Sequence, residues 1–183
     1  MSQRLRNKDR SAPASVILRV VPGNPTRARL ILAGSWFDAA IGRSGLARKR
    51  GEGDGITPRG AFACLYGFYR RGRRARPVSR LAFRPSRGDE GWCDAPSHPA
   101  YNCKVRLPFA ASHETLWRED RLYDALIVID YNVTRRQRGA GSAIFLHIAR
   151  EKNAPTEGCI ALTPKDFDRL CRHLGRGTRI VTL

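Results

Sequence analysis

The sequence contains no apolar run near the roughly 18 residues that a membrane-spanning helix needs, so a helical membrane anchor within it is excluded. No secretory leader is visible either. The basic start, Met1 to Arg10, would have to be followed by an apolar stretch of roughly 7–15 residues; Ser15–Val21 is too short and is interrupted by Arg19. Acidic residues are scarce, 16 against 34 basic ones, and lysine is scarcer, at positions 8, 49, 104, 152 and 165 only. The net charge of +18 therefore rests on arginine. Aromatic residues do not interleave the two basic clusters, Arg70–Arg76 and Arg135–Arg138, as a base-stacking platform requires. The charge reads as a solvated surface with arginine-rich codon usage rather than a nucleic-acid site. Attraction to an acidic envelope polymer or anionic lipid is the competing reading. Internal repeats are absent. Cys93, His98, Cys103 and His113 form a C-x4-H-x4-C-x9-H spacing that fits no common zinc pattern, so neither a metal nor another cofactor is expected. Asp94 and Asn102 are expected to organise that loop by side-chain to backbone bonds. An odd cysteine count (64, 93, 103, 159 and 171) leaves at least one thiol unpaired in a monomer, and Cys159 is the choice. Cys93 and Cys103 could pair in an oxidising compartment, which their spacing does not decide.

What is present is a 42% apolar chain of 183 residues, enough for one folded domain over 15–183 behind a flexible basic arm over 1–14. Ser15–Val21 and Ala28–Ala33 read as a hairpin around a Pro-Gly turn, and Trp36–Ile41 as a further strand. Ala61–Tyr66, Leu126–Tyr131, Ala143–Ala149 and Arg179–Leu183 are apolar runs of strand length. Residues 67–90, rich in Arg, Pro and Gly, read as a long surface loop, and 70–90 within it as a mobile cap. Residues 91–118 show no clean period. One helix is expected: Thr163 as N-cap, Pro164 at the first helical position, Asp166 and Asp168 at the positive end, and Phe167, Leu170, Cys171 and Leu174 on one face. The class is mainly β, a sandwich with a single C-terminal helix before the last strand.

The chemistry sits in Thr156-Glu157-Gly158-Cys159-Ile160-Ala161-Leu162, with His147 twelve positions before the cysteine. A thiol attacks as the thiolate, and an imidazole is the usual group that makes it one. Gly158 bends the chain so that backbone N–H groups can face a developing oxyanion. His147 lies on a run whose alternate residues are apolar, so it projects to one defined face.

At these residues the chain resembles the YkuD-type L,D-transpeptidases. Their signature is a strand histidine, a loop, then Ser/Thr-His-Gly-Cys and an apolar residue; the matching positions are His147, Thr156, Gly158 and Cys159. Gly53-Asp54-Gly55-Ile56-Thr57-Pro58-Arg59-Gly60-Ala61-Phe62 resembles the family's Gly-x-Thr-Pro-x-Gly-x-Phe segment. Gly91–Asp94, Tyr101-Asn102, Tyr123-Asp124, Tyr131-Asn132 and Gly141–His147 are similar to a compact subgroup. Two positions depart from the pattern: Glu157 stands for the usual histidine and Ala161 for an arginine or asparagine. A carboxylate clamp then falls to Lys152, Arg150 or the 70–76 cluster.

The resemblance implies a cell-envelope enzyme that joins peptidoglycan stem peptides. Cys159 is its nucleophile and His147 its base, oriented through a backbone carbonyl, with Asp124 or Asp130 as other partners. Gly158 would help hold the oxyanion, and Thr156, Glu157, Trp92, Tyr101, Asn102 and Tyr131 would line the substrate groove. The aromatics read equally well as core. The product would be a 3-3 bond between diaminopimelates or a 1-3 bond from L-alanine. Stem-peptide hydrolysis by a carboxypeptidase or amidase is an alternative, and a non-catalytic basic binding module another.

Overall fold

A computed structural model describes residues 15–149 and 154–183. The chain order is β1 (Ser15–Val21), β2 (Asn24–Leu32), β3 (Ser35–Ala40), β4 (Leu46–Ala47), β5 (Thr57–Pro58), β6 (Gly60–Tyr69), β7 (Phe83–Pro85), β8 (Glu90–Cys93), β9 (Lys104–Arg106), β10 (His113–Thr115), β11 (Ala125–Ile129), β12 (Phe145–Ile148), β13 (Ile160–Leu162), α1 (Pro164–Cys171) and β14 (Arg179–Thr182). Nine strands form one sheet in the order β11-β12-β13-β3-β2-β1-β14-β6-β7, and β11 also pairs with β6. That extra pairing closes the sheet on itself, so the two layers of the sandwich are one continuous surface. Strand β6 makes this possible through its length. Its first half pairs with β14 (Ala63 against Arg179) and its second half with β11 (Phe68 against Leu126).

The alternation along each strand separates two cores. Ala125, Ile127 and Ile129 of β11 and Leu146 and Ile148 of β12 point into the closed sheet, with Val16, Leu18, Leu30 and Phe37. Helix α1 adds Phe167, Leu170 and Cys171 to this core. Thr163 caps it as the sequence indicates, its hydroxyl accepting from the Asp166 N–H at 3.2 Å. The opposite faces of β11 and β12 carry Leu126, Val128 and Phe145, which pack under Trp92, Leu116 and Tyr123. The segment 90–123, folded around the three-stranded sheet β10-β8-β9, therefore roofs the outer face of β11 and β12.

The stretch 67–90 departs from the expected surface loop. Strand β6 runs on to Tyr69, and β7 adds in parallel beside it. The Arg70–Arg76 cluster is largely consumed by internal partners. The Arg70 guanidinium lies 3.9 Å from the Trp117 ring centroid, Arg73 pairs with Glu119 at 2.6 Å, and Arg74 pairs with Asp168 of α1. Residues within 91–118 form three short strands too brief to leave a periodic signal. The basic arm over 1–14 and the cations Arg150 and Lys152 lie outside the described residues.

Candidate active site

Strands β12 and β13 run parallel, with Leu146 opposite Ile160 and His147 opposite Ala161. This register brings the residue before β13, Cys159, to the side of Phe145, whose N–H donates to the Cys159 sulfur at 3.4 Å. His147 lies two residues further along the same outer face. Cys159 and His147 both line a cavity of about 420 Å³ under the roof, with Tyr123, Ala143, Thr156 and Glu157. The Tyr123 ring stands edge-on to the imidazole, centroids 5.3 Å apart. The Nδ1 of His147 meets the Ile148 carbonyl oxygen at 2.8 Å. A carbonyl can only accept, so Nδ1 carries a proton, and in the neutral imidazole the basic nitrogen is Nε2. Asp130 instead accepts from Thr134, and Asp124 faces Arg73 at 3.7 Å.

The cysteine is held as a thiol. Burial pushes it up to about 12; the Phe145 N–H opposes this, Glu114 raises it further and Lys49 lowers it. The S–H donates to the Ala143 carbonyl at 3.2 Å. Ala143 has a left-handed backbone, φ 52°, and its N–H is fixed by Asn102 Oδ1 at 3.1 Å. Asn102 thus stands behind Cys159 through Ala143. Its Oδ1 also accepts from Trp92 Nε1 at 2.8 Å, and its Nδ2 donates to the Tyr131 carbonyl at 3.1 Å.

Three segments distant in sequence build the turn itself. Thr57 Oγ1 accepts from the Gly42 N–H at 2.8 Å and donates to the Gly158 carbonyl at 2.9 Å. Thr156 Oγ1 donates to the Cys159 carbonyl at 2.6 Å and accepts from the Gly158 N–H at 3.1 Å. Gly158 has φ 130°, and a Cβ there would lie 2.8 Å from the Ile56 carbonyl oxygen, so this position is closed to any side chain. Its N–H is spent inside the turn. Gly158 therefore contributes to the turn by shape. Thr57 is the residue of this turn that sequence reasoning passed over; its motif was visible, but not that its hydroxyl reaches the cysteine turn 101 residues later.

The structure divides the other expected site residues. Thr156 and Glu157 line the cavity. Glu157 is exposed and accepts from Arg43 Nε through both oxygens, at 2.9 and 2.8 Å. Trp92, Tyr101 and Asn102 are buried, and Tyr131 lines a separate cavity beside Phe62, so none of the four lines the cavity that holds Cys159. Their polar groups are consumed by loop bonds. The Tyr101 hydroxyl, for example, binds Glu52 and accepts from the Gly141 N–H. Among the described residues the cavity cations are Lys49 and Arg118, not the 70–76 cluster. Lys49 is buried in an ion pair with Asp54 at 2.6 Å. Arg118 is forked onto Asp120 and also bonded to Glu114 at 3.0 Å.

His98 and His113 flank the Phe109 ring and bond to local backbone. Among the described residues no group of three or more His, Cys, Asp or Glu is arranged to hold a metal. All five thiols are free, and Cys93 meets Cys103 through a backbone bond of 2.9 Å. No helix among the described residues is long and apolar enough to cross a membrane.

No curated protein and no solved structure matches the chain. A family match does cover residues 18–182, from β1 to β14, and so includes Thr57, His147 and Cys159. The chain belongs to the YkuD family, the L,D-transpeptidase catalytic domain.

Proposed function

We propose that residues 15–183 form a single catalytic unit that crosslinks peptidoglycan stem peptides in the cell envelope through a thioester on Cys159. The observation that carries this reading is the shared cavity wall of Cys159 and His147, with the imidazole tautomer set by the Ile148 carbonyl. A thiol near 12 leaves a thiolate fraction of about 10⁻⁵ at neutral pH. Proton transfer to His147 Nε2 therefore accompanies attack rather than preceding it. The sulfur bonds to the amide carbonyl carbon, and the oxyanion is met by the Cys159 N–H. The C–N bond then breaks as His147 returns the proton to the leaving amine. An amine of a second stem attacks the thioester, His147 takes its proton, and the thiol is restored. Water in place of the amine gives hydrolysis.

Incubation with purified sacculi or muropeptides, with products weighed by mass spectrometry, tests this. Dimeric crosslinks that disappear in Cys159→Ala are expected, and their fragment masses distinguish a 3-3 from a 1-3 bond. Shortened monomers alone would replace the transpeptidase by a carboxypeptidase or amidase. Retained activity in His147→Ala would remove the base.

A further inference from the structure

An apolar row crosses the outer face of four adjacent strands. Register sets Trp36 of β3 opposite Ile31 of β2, Ile31 opposite Ile17 of β1, and Ile17 opposite Val181 of β14. The chain neighbours Phe37, Leu30, Leu18 and Ile180 are buried inside the closed sheet, so by alternation the row points outward. Trp36 is 62% exposed, and Ile31, Ile17 and Val181 are partly exposed. A stray surface hydrophobe needs no explanation, but a contiguous line of them does. The hairpin that carries Trp36 extends it. No residue from Leu30 to Phe37 is charged, and the tip, Ala33-Gly34, is exposed.

Cations frame the row. Arg19 and Arg29 face each other two residues along β1 and β2, about 7 Å from it. Arg179 lies two residues before Val181 on β14, on the row's other side. Asp38 is the only acid in these four strands and is paired with Arg29 at 3.4 Å. Residues 1–14 carry four cations and one acid, so their charge has the same sign. An occupant of this face must take Trp36 and its aliphatic neighbours out of water and bring negative charge to the arginines. A soluble polyanion answers the arginines and leaves Trp36 in water. A second copy laid face to face sets one arginine-framed row against another, in chains each of net charge +18. The interface of an anionic bilayer answers both demands. Indole and aliphatic side chains settle roughly 5–10 Å into the boundary of headgroups and acyl chains, and guanidinium groups meet the phosphates.

We propose that the outer face of β3, β2, β1 and β14 docks the protein on an anionic lipid surface, with Trp36 as its anchor. The topology gives the docking a direction. In the circuit β11-β12-β13-β3-β2-β1-β14-β6, closed by the pairing of β6 with β11, strands β2 and β1 stand across from β11 and β12. The cavity that holds Cys159 and His147 lies on the outer face of β12. A docked protein therefore turns its cavity away from the bilayer. The docking does not depend on the chemistry at Cys159.

The test uses the full chain with vesicles of phosphatidylcholine alone, with about one third phosphatidylglycerol, and with the anionic mixture carrying brominated acyl chains. Binding to the anionic vesicles is expected, with tryptophan emission shifted to the blue and quenched by bromine. Trp92 is buried and Trp117 lies under the Arg70 guanidinium, so the quenching reports Trp36 and should vanish in Trp36→Phe while binding is kept. Trp36→Ser should weaken binding about 10-fold, and Arg19→Gln combined with Arg29→Gln about 10-fold as well. Absence of binding, absence of quenching in the wild-type protein, or anionic binding unchanged in Trp36→Ser would leave only the attraction of a polycation and overturn the proposal. A dimer in analytical ultracentrifugation that Trp36→Ser dissolves would assign the face to a second copy instead. Melting temperatures equal to wild type are expected for these surface variants, and the wild-type quenching decides the proposal even where a variant unfolds.

Discussion

Replacing Thr57 by valine keeps the shape of a fully buried side chain and removes one oxygen. That oxygen joins the loop after β3 to the cysteine turn, through the Gly42 N–H at 2.8 Å and the Gly158 carbonyl at 2.9 Å. Both partners are left in an interior where water cannot replace the hydroxyl. At about 1–3 kcal/mol for each buried group left unpaired, the variant loses about 3 kcal/mol of stability. For a domain of this size that is a fall in Tm of about 10 °C. The activity loss should exceed what stability explains. The freed Gly158 carbonyl lets the turn rotate, and a displacement of about 1 Å at a reacting atom can cost 100-fold in rate. Thr57→Ser restores both bonds and should return Tm and kcat/KM close to wild type. Calorimetry and a crosslinking assay well below Tm separate the two effects. A valine variant with unchanged Tm and undiminished kcat/KM would refute the claim that this hydroxyl holds the nucleophile turn.

Three further outcomes follow from the geometry. Gly158→Ala places a methyl group against the Ile56 carbonyl and strains a φ of 130°, so crosslinking activity should drop more than 100-fold; a crystal structure with an unmoved turn and full activity would contradict this. Burial alone would raise Asp54, but the Lys49 ammonium and the N–H groups of Ile56 and Arg50 hold it at about 2, below its ordinary 3.8. A depressed folded value means stability present above the unfolded value and lost as pH falls through the folded one, so about 2 kcal/mol should disappear between pH 5 and pH 2. Urea midpoints across that range, with a shallower slope in Asp54→Asn, check it. Because Cys159 rests as a thiol near 12, its alkylation by iodoacetamide should rise about tenfold per pH unit from pH 7 to 10; a flat profile from pH 6 would mean a standing thiolate–imidazolium pair.

Local chemistry was legible wherever it acts locally. The cap of α1, the hairpin of β1 and β2, and the apolar runs of β11 and β12 follow from propensity and alternation, and the structure keeps them with small shifts at the ends. That Cys159 and His147 belong together was legible because their residue types are rare and lie twelve positions apart, and the structure puts both on one cavity wall. The 70–76 cluster was not. Seven residues with five arginines look like a solvated patch until Trp117, Glu119 and Asp168 arrive from elsewhere to pair with them. Trp92, Tyr101 and Asn102 sit in a stretch without periodicity, and only the roof over β11 and β12 shows that they support the cavity wall from behind.

The cavity's acidity is the clearest case of information held only in three dimensions. Among the described residues, Glu52, Asp94, Glu114 and Glu157 come to its wall from four separate segments of the chain. Averaged along the chain, the net charge predicts attraction to polyanions. Gathered beside Cys159, the four carboxylates outnumber Lys49 and Arg118 on the described part of the cavity wall. The two scales of charge are compatible for an enzyme of this family. A positive exterior would act on an acidic polymer over a Debye length of about 8 Å, whereas a side chain on the cavity wall acts within contact distance. Salt should therefore weaken association with sacculi strongly and turnover of a small stem-peptide substrate much less, which co-sedimentation and crosslinking assays across ionic strength check.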